Sequence, residues 1–269
     1  TEDDPSEIDF PSYFLGTVDI RAGQPVSGIS IPQNGNGVNL RYRNARGTEL
    51  TELYDYVICA VPFSTLREIE IAPYFSNEKM QAIKELNYID AQKTLFLCKK
   101  RFWEEDREYG NMNGGASFTD LPIQSIFYPP DHLNCEPPNC SPDEPGVLTA
   151  SYNLGQDAVR VSGQQAARRF DLIKNNVEAV HGLPRGYLDA IVEDHKTAHW
   201  NAEHWSRGAF AAAAPGQKLL FAYAIQQPEY NGRLFFSGEH ASTKPGWMQG
   251  ALYSGKSAAN KITEDVFRR

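Results

Sequence analysis

The chain has 269 residues and a mass of 30.1 kDa, room for two domains or one large α/β unit. Its composition, 41% hydrophobic, 12% aromatic and 22% charged, supplies a packed core and excludes collagen-like, disordered and disulfide-scaffold classes. With 34 acidic against 26 basic residues and a net charge of −8, it offers no broad basic face to nucleic acid, and no apolar run reaches the roughly 18 residues that span a membrane.

The chain begins at Thr1, without methionine, on the acidic stretch Thr1-Glu2-Asp3-Asp4 and without a signal-peptide pattern. A trimmed product or a missing upstream part is the expectation. Next, Gly28–Ile31 and Val38–Tyr42 read as strands joined by a turn at Gln33-Asn34-Gly35-Asn36-Gly37. The second alternates, with Val38, Leu40 and Tyr42 opposite Asn39, Arg41 and Arg43, as a half-solvated antiparallel strand does. A turn at Asn44-Ala45-Arg46-Gly47 leads to a third strand ending near Leu53, so a meander is expected. The continuous apolar run Tyr56–Val61 predicts a fully buried parallel strand, stopped by Pro62 and followed by a short helix at Ser64–Glu68.

Lys93–Cys98 and Gln124–Tyr128 predict two further strands. Cys59 and Cys98 lie in apolar runs, as small buried hydrophobes do. Cys135 and Cys140 flank Glu136-Pro137-Pro138-Asn139. A local disulfide fits there and would point to an oxidising, secreted or periplasmic setting; a free pair fits equally. Zinc fits less well, because no second ligand pair follows. Asn139-Cys140-Ser141 is a formal glycosylation sequon, a weak motif. Ala166, Phe170, Ile173, Val177 and Val180 mark an amphipathic helix over residues 163–181, stopped by Gly182 and Pro184. His195, His199 and His204 lack a matched carboxylate or cysteine set and read as surface or hydrogen-bonding residues rather than metal ligands.

The last seventy or so residues are the most informative. Arg233–Ser237 predicts a short buried strand meeting Gly238-Glu239-His240, and a loop separates it from a helix that starts near Trp247. A glutamate at the carboxyl end of a buried strand, beside a helix amino terminus opened by Gly246, suits a bound group that develops negative charge. An ordinary strand-to-helix connection with a surface glutamate suits the same residues. No G-x-S-x-G elbow, H-E-x-x-H or phosphate loop is present.

Phe236-Ser237-Gly238-Glu239-His240, Gly246-Trp247-Met248-Gln249-Gly250-Ala251 and Ser254-Gly255 together resemble the carboxy-terminal flavin signature of the flavin amine oxidase superfamily, within it most closely the L-amino-acid oxidases. Upstream, Tyr54–Pro62 resembles that family's buried strand, and Ala91–Cys98 with Phe102-Trp103 its lysine strand and Phe-Trp motif. Thr119–Pro122 with Ile126–Pro129 resembles its tyrosine segment. Trp200 before Gly208-Ala209-Phe210 and Pro215-Gly216-Gln217 resembles its flavin-side tryptophan.

The resemblance implies a mixed α/β fold: the carboxy-terminal part of a Rossmann-like FAD domain with an inserted substrate domain. Residues 1–88 and 200–269 would belong to the FAD domain and 89–199 to the substrate domain. It implies that Lys93 holds a water near the flavin, although a strand lysine can simply face solvent. Tyr128 would bond the substrate carboxylate, Trp247 would wall the substrate, and the Gly246 carbonyl would meet its ammonium. Val26, Trp200, Gly238, Glu239, Trp247, Met248 and Ala251 would contact FAD.

Members of the family begin with a G-x-G-x-x-G unit and carry an arginine carboxylate clamp, and neither is found here. Gly35-Asn36-Gly37 is a hairpin turn. The expectation is therefore the carboxy-terminal chain of a processed precursor. It would pair with an amino-terminal chain in a dimer of two-chain units and oxidise an L-amino acid with oxygen to a 2-oxo acid, ammonia and hydrogen peroxide. The alternatives are an amine or polyamine oxidase, a flavin desaturase, or a non-catalytic subunit.

Overall fold

The structure is a computed structural model that describes residues 16–135 and 140–268. The expected meander forms from β1 (Val26–Ser30), β2 (Val38–Arg43) and β3 (Glu49–Tyr54), and β5 (Glu70–Ala72) adds to β1 in parallel. The apolar run becomes β4 (Val57–Cys59), which pairs in parallel with β13 (Leu234–Phe236). Parallel pairing is as expected, but full burial is not. Among the described residues β4 has one neighbour, and Ile58 is 38% exposed. Pro62 leads into α1 (Phe63–Leu66), and Ser76 caps α2 (Asn77–Glu85) by accepting the Lys79 N–H.

A five-stranded sheet in the order β11-β7-β10-β9-β8 forms the second layer. Its strands are β7 (Ala91–Cys98), β8 (Ala116–Phe118), β9 (Ser125–Phe127), β10 (Gly146–Leu154) and β11 (Val192–His199). Helices α3 (Gly155–Ser162) and α4 (Ala166–Val180) lie against it, and α4 buries Ile173 and Val177 as its stripe predicts. The alternation of β7 assigns its faces. Gln92, Thr94, Phe96 and Cys98 are buried under the helices, while Leu95 and Leu97 on the opposite face are exposed.

Two hydrophobic cores result. One gathers Phe63, Leu66, Ile83, Phe221, Leu234 and Phe236; the other gathers Phe96, Phe102, Trp103, Ile126, Leu148 and Ile173. Short strands β6 (Tyr88–Ile89) and β12 (Phe210–Ala211) pair where the chain passes between them. Helices α5 (Gln217–Gln226) and α6 (Met248–Arg268) complete the first core's side. Cys135 and Cys140 are joined as a disulfide, and Cys59 and Cys98 are buried free thiols. Thr1–Asp4 and Asn139 of the sequon lie outside the described residues.

Candidate functional site

Strands β4 and β13 end side by side, and the Ser237 N–H donates to the Cys59 carbonyl at 3.0 Å. Open α/β sheets bind ligands at this end. The chain then turns through Gly238, whose φ of 133° and 2.6 Å approach of an added Cβ to the His240 ring leave room only for glycine. The Gly238 N–H donates to Ser254 Oγ at 2.9 Å, and the Ser254 hydroxyl lies 2.8 Å from the Gly238 carbonyl. That bond pair fixes α6 to the end of β13.

Glu239 is no loose surface carboxylate. Its two oxygens accept the Ala211 N–H at 2.9 Å and the Gly246 N–H at 2.7 Å. One charged side chain thus braces β12 and the start of α6. Each oxygen keeps a free lone pair for a ligand hydroxyl. Gly250 lets the first turn of α6 close on the preceding loop: a Cβ there would fall 2.2 Å from the Lys244 carbonyl oxygen and 2.3 Å from Ser242 Oγ.

Gly246 enters α6 at φ 77°, followed by Trp247 and Met248, 68% and 78% exposed. The open first turn presents N–H groups and the positive end of a 21-residue helix beside these two side chains. Ala251, one turn on, is half-buried on the same helix. At the same end of the parallel pair, a cavity of about 710 Å³ is lined by Val26, Ala60, Val61 and Pro62. A flat, partly anionic ring with a long polyhydroxylated tail fits these features, and a flavin is such a group.

Lys93 sits on the open face of the five-stranded sheet, paired with Tyr152 on one side and Ala198 on the other. Its Nζ lies 4.2 Å from the Tyr152 ring centre and 5.9 Å from that of Trp200. The strand lysine expected either to face solvent or to serve chemistry is held between two aromatic rings. Trp200 is itself locked. Its N–H donates to the Ala91 carbonyl at 3.1 Å, and its carbonyl accepts from Ser206 Oγ at 2.9 Å and the Gly208 N–H at 3.2 Å.

Tyr128 does not join this group. It is buried on the opposite side of the sheet, with its hydroxyl 2.8 Å from Ser117 Oγ and 3.0 Å from His181 Nε2. Burial pushes that hydroxyl's pKa above its ordinary value. The neighbouring Phe127 faces the other way, its ring 5.8 Å from that of Tyr152. The tyrosine beside Lys93 is therefore Tyr152, which the sequence motifs missed. Sequence motifs also passed over Phe210 as a site residue, although its ring comes within 3.1 Å of a Cβ built at Gly246. Of the three histidines, His199 bonds Asp90 at 2.7 Å, His195 stacks on Phe170, and His204 packs edge-on to Trp205.

Residues 10–263 match the family described as flavin containing amine oxidoreductase. The chain is 32% identical over 251 residues to the flavin-dependent L-tryptophan oxidase RebO of Lentzea aerocolonigenes, covering 91% of this chain and 48% of that protein. It is 33% identical over 240 residues to the putative L-amino-acid oxidase YobN of Bacillus subtilis (strain 168), covering 87% and 46%. A putrescine oxidase variant superposes with a TM-score of 0.71 at 18% identity, over 90% of this chain and 48% of its own. Cyclohexylamine oxidase from Brevibacterium oxydans IH-35A gives 0.68 at 19%, over the same shares. These two show the fold. The chain spans about half the length of the relatives it matches. The cofactor the residues and the family support is FAD, and the chain belongs to the flavin containing amine oxidoreductases.

Proposed function

We propose that this chain forms the carboxy-terminal, substrate-facing part of an FAD-dependent L-amino-acid oxidase. The observation that carries it is Lys93 held against Tyr152 and Trp200 on the open sheet face, in a chain whose relatives include L-amino-acid oxidases. Bound FAD supplies the two-electron acceptor for the substrate's Cα–H bond and passes the electrons on to oxygen.

The residues of this chain bind, orient and handle protons. Tyr152 offers its hydroxyl to the substrate carboxylate, and Trp247 walls the substrate. The Gly246 carbonyl, at the bend where Glu239 holds its N–H, accepts from the substrate ammonium. Lys93 Nζ holds and orients a water and relays its proton. Val26, Trp200, Gly238, Glu239, Met248 and Ala251 line the cofactor, with the α6 dipole favouring negative charge on it. Residues 1–88 and 200–269 would belong to the FAD domain and 89–199 to the substrate domain. An amino-terminal part with the G-x-G-x-x-G unit and a carboxylate-clamping arginine would complete the enzyme, as the partner chain in a dimer of two-chain units. The arginine matters because a single tyrosine hydroxyl holds a carboxylate weakly.

The test is a product balance on the flavin-loaded protein. One L-amino acid, one oxygen and one water should give one 2-oxo acid, one ammonium and one hydrogen peroxide. Peroxide from decarboxylated amines but not from L-amino acids would make it an amine oxidase instead.

A further inference from the structure

Strand β10 places Tyr152 on the open sheet face because its register against β7 shifts between Thr149 and Ser151. Ala150 and Ser151 both turn inward, and Tyr152 then faces out. A slip of one residue would bury Tyr152 and take its hydroxyl away from Lys93. Among the described residues, the ladder from β10 to β9 pairs only Thr149 with Phe127, so beyond the bulge β9 gives no ladder support. Side chains supply it. The Ser125 hydroxyl donates to the Tyr152 carbonyl at 2.9 Å, and the Leu154 N–H donates to Gln124 Oε1 at 2.9 Å. The Ser151 hydroxyl donates to Asn153 Oδ1 at 2.6 Å and lies 3.1 Å from Gln92 Oε1. Asn153 Nδ2 donates in turn to the Pro122 carbonyl. Gln92 Nε2 donates to Thr94 Oγ1 at 2.6 Å, which lies 2.8 Å from Thr197 Oγ1 on β11. Gln92, Thr94, Ser151 and Asn153 are fully buried.

We infer that Ser151 is a positioning residue: its hydroxyl, tied to Asn153 and Gln92, fixes the bulge that aims Tyr152 at the substrate carboxylate, and Ser125 secures Tyr152 through its carbonyl. Burial alone asks for no hydroxyl at position 151, since an apolar residue enters a core at lower cost. What the hydroxyl adds is direction. Turning residue 151 outward would leave Asn153 Oδ1 and Gln92 Oε1 without their donor in the core, where an unpaired polar atom is expensive. The bulge therefore stays where it is, and Tyr152 stays on the face of Lys93.

The inference rests on the contact proposed above between Tyr152 and the substrate carboxylate. A double-mutant cycle on the flavin-loaded enzyme tests it. The readout is the affinity for benzoate, a carboxylate that the flavin does not oxidise, followed by the change in flavin absorbance. Tyr152→Phe and Ser151→Ala should each weaken benzoate about tenfold. The double variant should bind no more weakly than Tyr152→Phe alone, because Ser151 acts through the hydroxyl already removed. Ser125→Ala, which removes only the bond to the Tyr152 carbonyl, should give the same pattern and decides the question where Ser151→Ala does not fold. A serine effect that adds in full to that of Tyr152→Phe is general loosening of the sheet and would overturn the inference. So would unchanged affinity in the serine variants beside a weakened Tyr152→Phe, and either result leaves the proposed function standing. Unchanged affinity in Tyr152→Phe would overturn the proposed contact and the inference with it.

Discussion

The Lys93 ammonium lies 4.2 Å from the centre of the Tyr152 ring, directly across the β7–β10 ladder. Tyr128 is 24 positions earlier in the sequence, in a motif that looks like a substrate segment, yet its hydroxyl is spent on Ser117 and His181 in the core. The two tyrosines should therefore respond oppositely to the same change. Tyr152→Phe keeps the ring against Lys93 and should raise the KM for an L-amino acid about tenfold or more, the cost of one hydrogen bond to a charged group, with little change in melting temperature. Tyr128→Phe should leave KM unchanged and cost about 1–2 kcal/mol of stability, because it leaves buried partners unpaired. Steady-state kinetics and thermal unfolding of the pair decide it.

Glu239 holds two backbone N–H groups with two oxygens. Glu239→Gln replaces one oxygen with a donor, so either Ala211 or Gly246 loses its acceptor and the bend before Trp247 loosens. FAD affinity, titrated into the apoprotein, should fall about tenfold to hundredfold. An unchanged affinity would remove Glu239 from the cofactor site.

Gly250→Ala places a methyl where the Lys244 backbone and Ser242 Oγ already stand. The loop carrying Gly246 must move, and the visible flavin absorbance retained through gel filtration should drop. A variant that keeps its flavin would show that the loop is free to shift.

Lys79 is wholly buried on α2, donating to the Ile225 and Gln227 carbonyls at 2.8 Å each, 3.6 Å from the Phe236 ring centre. Burial lowers its pKa from 10.5 to about 7, partly opposed by the charge of Glu229. Between these values the unfolded chain binds the proton and the folded chain does not, so this lysine makes stability rise with pH from about 7 to about 10.5. Lys79→Met should flatten that rise in denaturant melts across the range. An unaltered slope would place its origin elsewhere.

The meander, the parallel strand, the α4 helix and the Gly238-Glu239 turn were legible because period and turn chemistry act locally. Tyr152 was hidden by a bulge. In β10 the register shifts between Thr149 and Ser151, so Leu148, Ala150, Ser151 and Asn153 all face inward and Tyr152 turns outward beside Lys93. Simple alternation from Leu148 and Ala150 would have buried it. Strand β11 was not legible because Glu193, Asp194, His195 and Lys196 offer no apolar alternation, and it is backbone pairing with β7 that holds them extended. Helix α2 was masked by a lysine at a core position, which only the carbonyls of the α5 end explain.

The central claim is that Lys93, Tyr152, Gly246 and Trp247 face an amino-acid substrate at a bound flavin. Anaerobic mixing of the flavin-loaded protein with an L-amino acid, its D-enantiomer and the corresponding decarboxylated amine tests it most directly. Rapid bleaching of the flavin by the L-amino acid alone is the predicted result. Equal or faster bleaching by the amine would contradict it.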